Sequence, residues 1–197
     1  MPSKVRTLDE LGAIAAAARA RGQKVVLAHG VFDILHVGHK RHLDAGKQHG
    51  DLLVVTLTTD KFVNKGPDRP VFPEQLRAEM VAALESVDYV GISPNPGAEH
   101  VLETVRPSFY LKGSEYADES KDVTGRIRTE RLIVEKHGGE MLFTEDITFS
   151  SSNISNRVLR LYPEETAAYL KELRSRITAE DLHREVEIGR ASCRERV

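Results

Sequence analysis

Short apolar runs alternate with helical patterns along most of this chain of 197 residues. The clearest run, Leu52–Thr58, is aliphatic or β-branched at every position, which is typical of a strand that is covered on both faces. Helical segments separate this run from its neighbours, and such spacing favours parallel strands joined by helical crossovers. The alternation therefore predicts an α/β fold, a doubly wound parallel sheet of five strands with a C-terminal helical extension.

Apolar periodicity and end signals place the individual elements. A capping box at Thr7–Glu10 predicts a first helix that ends near Arg21, before Gly22. The predicted strands are Lys24–Ala28, Leu52–Thr58, Val87–Ile92, Phe109–Lys112 and Glu140–Thr144. The further predicted helices are Val37–His49, Glu74 to about Ser86, Ala98–Val105, Thr124–His137, Ser151–Leu161, Glu164–Arg174 and Ala179–Glu187.

The chain is expected to divide into three parts. We expect one folded domain over residues 1–161, a helical extension or linker over residues 162–187, and a non-native tail over residues 188–197. The tail breaks the helical pattern before it and resembles translated sequencing-adapter read-through. A disordered basic terminus is the alternative reading of the same residues. If the tail is an artefact, we expect the natural protein to continue beyond Glu187.

The charge balance argues against some classes of partner. The chain has 28 Lys and Arg against 30 Asp and Glu, a net charge of −2 with mixed signs, which favours neither a nucleic-acid partner nor a membrane surface. With no apolar run of about 18 residues and no signal-peptide core, a cytoplasmic protein is expected. The only cysteine, Cys193, lies in the tail, so we expect neither a disulfide framework nor thiol chemistry.

The strongest functional signal is the segment Gly30–His39, GVFDILHVGH, which follows the first predicted strand. His36 and His39 are three residues apart, so both imidazoles lie on one face of the first helical turn. The start of a helix has unpaired backbone N–H groups and attracts anions. Gly38 has no side chain to keep a phosphate away from the backbone. At the carboxyl end of a strand, this pattern predicts a site for the phosphates of a nucleoside triphosphate.

The whole string resembles the signature of the cytidylyltransferase-like nucleotidyltransferases, and the resemblance covers residues from about 20 to 160. It implies a small Rossmann-like domain that transfers a nucleotidyl group from a triphosphate to a phosphorylated small molecule. Within the string, it implies nucleotide contacts for Gly30, Phe32, Asp33 and Gly38. Within the family, the chain looks like the adenylyltransferase domain of ADP-heptose synthase and like glycerol-3-phosphate cytidylyltransferase.

Two later segments support the resemblance. Leu111–Tyr116, LKGSEY, resembles the KGGDY loop of the family, and the serine run before Asn153 resembles a late serine/threonine motif near the phosphates. Two positions depart from the family pattern: Glu115 stands where aspartate is usual, and no arginine precedes the serines as in some cytidylyltransferases. The segments imply nucleotide contacts at six positions: Lys112, Gly113, Glu115, Ser150, Ser151 and Ser152.

The expected chemistry needs cations more than a covalent nucleophile. An acceptor oxygen attacks the α-phosphorus and pyrophosphate leaves, so catalysis is mostly positioning and neutralisation of charge. His36 and His39 can donate hydrogen bonds to phosphate oxygens. The resemblance places Lys65 and Arg77 at positions that contact phosphate in the family. These four are the candidate catalytic residues, with Mg²⁺ bridging phosphate oxygens and no metal site built from protein ligands alone.

The two histidines of the motif have a second reading. His36 and His39 could be half of a zinc site, completed by His29 or His42, although the glycine inside the motif suits phosphate better. His42 and His49 are otherwise expected at the surface of the same helix. A zinc site would replace the triphosphate reading altogether.

Ordinary structural contacts could explain several of the remaining residues. Asp33 could cap its turn instead of contacting a ligand or metal, and Arg77 could form a structural ion pair. The serine run could be only the N-cap of the next helix. Arg126 and Arg128 could reach an acceptor phosphate or lie on a solvated helix face.

The sequence as a whole predicts a nucleotidyltransferase. The resemblance favours transfer of AMP from ATP to a sugar phosphate, in carbohydrate metabolism. The alternatives are a CTP-dependent enzyme acting on glycerol or another polyol phosphate and, from another class, a catalytically silent nucleotide-binding module. The resemblance also suggests a sugar kinase fused beyond the linker, and homodimers occur in the family.

Overall fold

The computed structural model describes residues 4–64, 69–116 and 126–144, together with a few helical positions between residues 165 and 172. The chain divides into two units, Met1–Ser152 and Asn153–Val197. The described strands are β1 (Val25–Gly30), β2 (Leu52–Thr58), β3 (Tyr89–Ser93), β4 (Phe109–Gly113) and β5 (Glu140–Thr144). The described α-helices are α1 (Leu8–Ala20), α2 (Val37–Lys47), α3 (Glu74–Ala82), α4 (Glu99–Val105) and α5 (Arg126–Lys136).

The five strands form one parallel sheet in the order β3-β2-β1-β4-β5. The α/β prediction and its five strands are therefore confirmed, with most ends within a few residues of the predicted ones. The largest difference is at α3, which ends at Ala82 and not near Ser86, and β3 starts two residues later than predicted. The predicted helices Ser151–Leu161 and Ala179–Glu187 and the tail lie outside the described residues.

Side chains alternate along the strands and build an apolar layer on each face of the sheet. On one face, Leu27 and Tyr110 pack with α1, α4 and α5. On the other face, Ala28 and Leu111 pack with α2 and α3. Each fully buried leucine contributes roughly 1.5–3 kcal/mol, so these two layers hold the helices in place. No helix in the described part of the chain is long and apolar enough to cross a membrane.

The packing of α2 brings the histidine motif to the end of the sheet. Gly46 faces Leu111 of β4, and a methyl group at Gly46 would overlap the leucine side chain. The glycine therefore allows the helix backbone to approach the sheet closely. Because α2 is seated directly on the sheet, its first turn lies beside the carboxyl end of β1.

We predict unequal effects when two leucines are shortened to alanine. Leu102 in α4 is fully buried, whereas Leu132 in α5 is 58% exposed. Leu102→Ala should lower the free energy of unfolding by about 2–5 kcal/mol, because it leaves a cavity in the core. Leu132→Ala should cost less than about 0.5 kcal/mol. Urea unfolding measures both, and equal losses would contradict the packing described for α4.

Candidate active site

The candidate site lies where the strand order reverses. β1 has β2 on one side and β4 on the other, and all three strands are parallel. The crossover from β1 leads to β2 and that from β4 leads to β5, so the two run in opposite directions. This divergence opens a crevice at the carboxyl ends of the strands. The loop after β1 enters this crevice and leads into α2, which has His36 as its N-cap residue.

The helix cap selects the tautomer of the neutral His36 ring. Nδ1 of His36 accepts a hydrogen bond from the backbone N–H of Gly38 at 3.1 Å. Because Nδ1 accepts, the proton of the neutral ring lies on Nε2, which becomes a hydrogen-bond donor. We expected unpaired backbone N–H groups at this helix start. That expectation was wrong for Gly38, because its amide donates to Nδ1 of His36.

The structure brings the two histidines of the motif together. The rings of His36 and His39 stack with centroids 3.9 Å apart and planes inclined by 28°. The ring of Phe32 also lies near His39, with centroids 5.2 Å apart and planes inclined by 54°. Two imidazoles and one phenyl ring thus form a small aromatic cluster at the start of α2.

Phe32 adopts a conformation that is unusual for a residue with a side chain. Its φ of 48° lies in the left-handed region, which costs about 1–2 kcal/mol for such residues. Burial of the ring, which is only 7% exposed, offsets this cost. A Cβ at Gly30 would approach the same ring to 3.2 Å, so Gly30 makes room for it. The nucleotide contacts of Gly30 and Phe32 stay predictions.

Asp33 is fully buried and has protein partners on both carboxylate oxygens. One oxygen accepts from the backbone N–H of Val71 at 2.7 Å, and the other pairs with Nε of Arg69 at 2.5 Å. Asp33 therefore fastens the segment before α3 to the loop after β1. The alternative that Asp33 caps its own turn was wrong, because its partners lie in the segment before α3. The nucleotide contact of Asp33 stays a prediction.

Arg77 in α3 is also fully buried. Its guanidinium donates to Oδ1 of Asp60 at 2.6 Å, to the carbonyl oxygen of Thr58 at 2.8 Å and to that of Phe72 at 3.0 Å. It also donates to the carbonyl oxygen of Val31. These are the contacts of the structural ion-pair reading. The direct role of Arg77 in catalysis stays a prediction, because the contacts described above are all with protein groups.

His29, at the end of β1, forms a polar group with two threonines of β2. Its Nδ1 lies 2.9 Å from Oγ1 of Thr56 and its Nε2 lies 3.4 Å from Oγ1 of Thr58. Burial, and then the nearby positive charge of Lys112, lower the pKa of His29 to about 4. The ring is therefore neutral near pH 7.

Lys112 and Gly113 form the last part of β4. Nζ of Lys112 pairs with Oε2 of Glu130 in α5 at 2.7 Å, and both side chains are largely buried. Gly113 is buried. Glu115 follows in a short 3₁₀ turn, and its side chain lies outside the described part of the structure.

Four predicted site residues lie outside the described residues: Lys65, Ser150, Ser151 and Ser152. Their roles stay predictions. Arg126 and Arg128 are exposed on α5, and Arg126 donates to the carbonyl oxygen of Pro96 at 3.2 Å.

The zinc reading finds no third ligand among the described residues. Both ring nitrogens of His29 face threonines, and Nδ1 of His42 lies 2.5 Å from Oγ1 of Thr144. In this part of the chain, no three His, Cys, Asp or Glu side chains are grouped to hold a metal. The expectation that His42 is a surface residue holds only in part, because its ring packs toward Thr144 at the end of β5 and is half-buried. His49 is exposed, as expected.

Two features of the site were missed in the sequence, although each has a signal there. Glu130 lies between Ile127 and Val134 on the buried stripe of α5, where a charge is unexpected. Thr56 and Thr58 interrupt the otherwise aliphatic β2. A charged or polar residue at a position that periodicity assigns to the core indicates a buried partner.

A parallel sheet with paired histidines at the start of the first crossover helix, beside the reversal of strand order, defines a Rossmann-like nucleotidyltransferase. The family comparison agrees: residues 27–157 match the model described as cytidylyltransferase-like. Since the match spans more than half of the chain, the chain belongs to the cytidylyltransferase-like family, as the resemblance predicted.

Curated relatives match most of this chain. The chain is 39% identical over 169 residues to the bifunctional protein HldE of Geobacter metallireducens, and 37% identical to that of Geobacter sulfurreducens. Each alignment covers 83% of this chain but 32% of the relative. The chain therefore spans about a third of the length of these relatives.

Two solved structures have the same fold. The lipopolysaccharide core biosynthesis protein of Thermoplasma volcanium is 26% identical, with a TM-score of 0.52, over 66% of this chain and 100% of that chain. The pantoate-beta-alanine ligase of Francisella tularensis is 13% identical, with a TM-score of 0.52, over 85% of each chain. The second likeness concerns the fold alone.

We predict that the two parts played by His36 can be separated. His36→Asn keeps a side-chain acceptor for the Gly38 amide, whereas His36→Ala removes it. The alanine variant should therefore be about 1 kcal/mol less stable than the asparagine variant. Urea unfolding of the two proteins measures the difference. Equal stability would show that the cap does not hold α2.

We predict a pH dependence of stability that comes from His29. Its folded-state pKa of about 4 is below the ordinary value of 6.5, so the unfolded chain takes up the proton first. The contribution of neutral His29 to the free energy of unfolding is complete above pH 6.5. It is lost as the pH falls toward 4, by up to about 3 kcal/mol. His29→Asn should lose less stability than the wild type between pH 7 and pH 4 in urea unfolding. Parallel losses in the two proteins would exclude His29 as the cause.

Proposed function

We propose that this domain transfers AMP from ATP to a sugar phosphate and releases pyrophosphate. The observation that carries the proposal is the stacked pair His36 and His39 at the start of α2, with the His36 proton held on Nε2. A donor fixed by its own helix cap needs no rearrangement when negative charge grows on a phosphate oxygen. A helix N-terminus adds a favourable field for the same charge.

The proposed reaction is one displacement at phosphorus. An oxygen of the acceptor phosphate attacks the α-phosphorus, and the bond from that phosphorus to the pyrophosphate oxygen breaks. His36 and His39 would donate to oxygens whose charge increases as this bond breaks. Lys65 would add positive charge in the family position, and Ser150, Ser151 and Ser152 would contribute hydroxyl and backbone donors near the phosphates. No covalent intermediate with the protein is needed.

The substrate classes rest on likeness. The Thermoplasma relative is named for lipopolysaccharide core biosynthesis, which favours a carbohydrate acceptor. The resemblance of LKGSEY and the serine motif to an adenylyltransferase domain favours ATP over CTP. CTP with a polyol phosphate is the competing pair of substrates.

A divalent cation, Mg²⁺ in our proposal, would enter with the nucleotide. The described residues contain no group of three ligand side chains that could hold it by themselves. Mg²⁺ commonly keeps several waters and binds phosphate oxygens with few protein ligands, which suits such a site. Its chemistry would be neutralisation of phosphate charge.

We also propose a second activity outside this domain. The relatives are called bifunctional, and this chain matches about a third of their length. A sugar kinase fused beyond the linker would produce the phosphorylated acceptor. Reading the uninterrupted gene on both sides of this domain tests this, and a gene that encodes no second domain would contradict it. A homodimer stays a prediction.

We predict that pyrophosphate release identifies the substrates and depends on His36. ATP and CTP are each tested with Mg²⁺ against a panel of sugar and polyol phosphates. One donor–acceptor pair should give turnover, and His36→Asn should lower kcat about 100-fold or more, because it keeps the cap but removes the imidazole donor. His49→Asn, an exposed histidine beyond α2, is the matched control and should keep full activity.

The contrary outcomes are specific. Turnover with CTP and not with ATP would show that CTP is the nucleotidyl donor. Binding of ATP or CTP without release for any acceptor would favour the silent nucleotide-binding module. Equal activity of His36→Asn and His49→Asn would remove the histidine pair from the reaction.

A further inference from the structure

A buried ion pair connects β4 to α5 at the carboxyl end of the sheet. Nζ of Lys112 lies 2.7 Å from Oε2 of Glu130, and the side chains are 13% and 6% exposed. The rings of Tyr110 and Tyr116 each lie 5.0 Å from the same ammonium. Because the cost of desolvation cancels much of the attraction in a buried pair, stability alone is a weak reason for one.

The pair lies on the opposite face of the sheet from the histidine stack. Lys112 is two residues beyond Tyr110, which packs with α1, α4 and α5. Phe32, which contacts His39, belongs to the apolar layer of α2 and α3. Ala28 pairs with Leu111, so the next residues, His29 and Lys112, are neighbours in the register. The lower pKa of His29 agrees, since Lys112 is one of its causes.

In-line displacement separates the attacking oxygen from the leaving oxygen, because the two lie on opposite sides of the phosphorus. If the histidines hold the phosphates that leave, the acceptor approaches from the side of Lys112. An ammonium has three N–H donors, and one carboxylate oxygen at 2.7 Å engages at most one of them. Tyr116, which is 40% exposed, adds an aromatic surface beside them.

We propose that Lys112, positioned by Glu130, binds the phosphate group of the acceptor. This inference rests on the proposed function, because it takes the triphosphate to be held by His36 and His39. Glu130 acts through Lys112 and is a positioning residue. It aims the ammonium at the end of the sheet and balances its charge where water is scarce. The resemblance implied a nucleotide contact for Lys112, and the experiment separates the two roles.

The test uses inorganic phosphate as the probe. With the His36 side of the site saturated by α,β-methylene-ATP, a non-hydrolysable analogue, calorimetry measures the phosphate that still binds. Lys112→Met and Glu130→Gln should each weaken this binding about tenfold or more, and affinity for the analogue should stay at the wild-type level. Lys112→Arg, which keeps the charge, should retain part of the phosphate affinity.

Two further variants exclude a purely structural effect. Glu103→Gln removes the carboxylate that pairs with Lys136 and His137, each at 2.7 Å, and should change neither affinity. The double variant Lys112→Met with Glu130→Gln leaves no buried charge unpaired, so it should regain stability lost in the single variants. It should still fail to bind phosphate. Recovery of phosphate binding in the double variant would overturn the proposal.

The remaining outcomes are equally decisive. A loss of analogue affinity in Lys112→Met would assign Lys112 to the nucleotide, and unchanged phosphate binding would leave a structural ion pair only. Failure of the proposed function looks different: the wild type would bind analogue and phosphate but release no pyrophosphate with any acceptor. If the wild type binds no analogue, the phosphate titration without it still tests Lys112.

Discussion

A single buried guanidinium connects the chain segments that surround the site. Arg77 donates to the loop after β1 at Val31, to the end of β2 at Thr58 and to the segment before α3 at Phe72. Burying a guanidinium without such acceptors would cost several kcal/mol of free energy. The buried Arg77 side chain therefore holds these three segments together. His36 follows Val31 by five residues, and the position of the histidine pair therefore depends on this network.

Once the loop is held, local chemistry completes the site. The Gly38 amide needs an acceptor at the start of α2, and the ring of His36 provides it. Satisfying the backbone therefore also selects the ring tautomer with a donor on Nε2. On the other face of the sheet, Glu130 similarly engages Lys112. Each cation or donor is fixed by a protein partner before any ligand arrives, which lowers the cost of reorganisation during a reaction.

The elements that could be predicted are those with local or periodic signals. Leu52–Thr58 is a strand because every side chain suits a covered sheet, and Thr7 begins a helix because Glu10 completes its capping box. The histidine motif was also found, since its spacing and its place after β1 are both written in the chain. The nucleotide contacts at Lys65 and the serine run stay predictions.

The sequence by itself determined the sheet, its helical crossovers and the family, because periodicity and short motifs are properties of neighbouring residues. Only the tertiary structure decided which polar and charged groups face each other. Asp33 meets Arg69 across 36 positions, His42 meets Thr144 across 102, and Glu130 meets Lys112 from another element. Such partners are selected by burial, because a polar group removed from water must be paired with whatever the fold brings near. The spacing of residues along the chain does not show which distant residues the fold brings into contact.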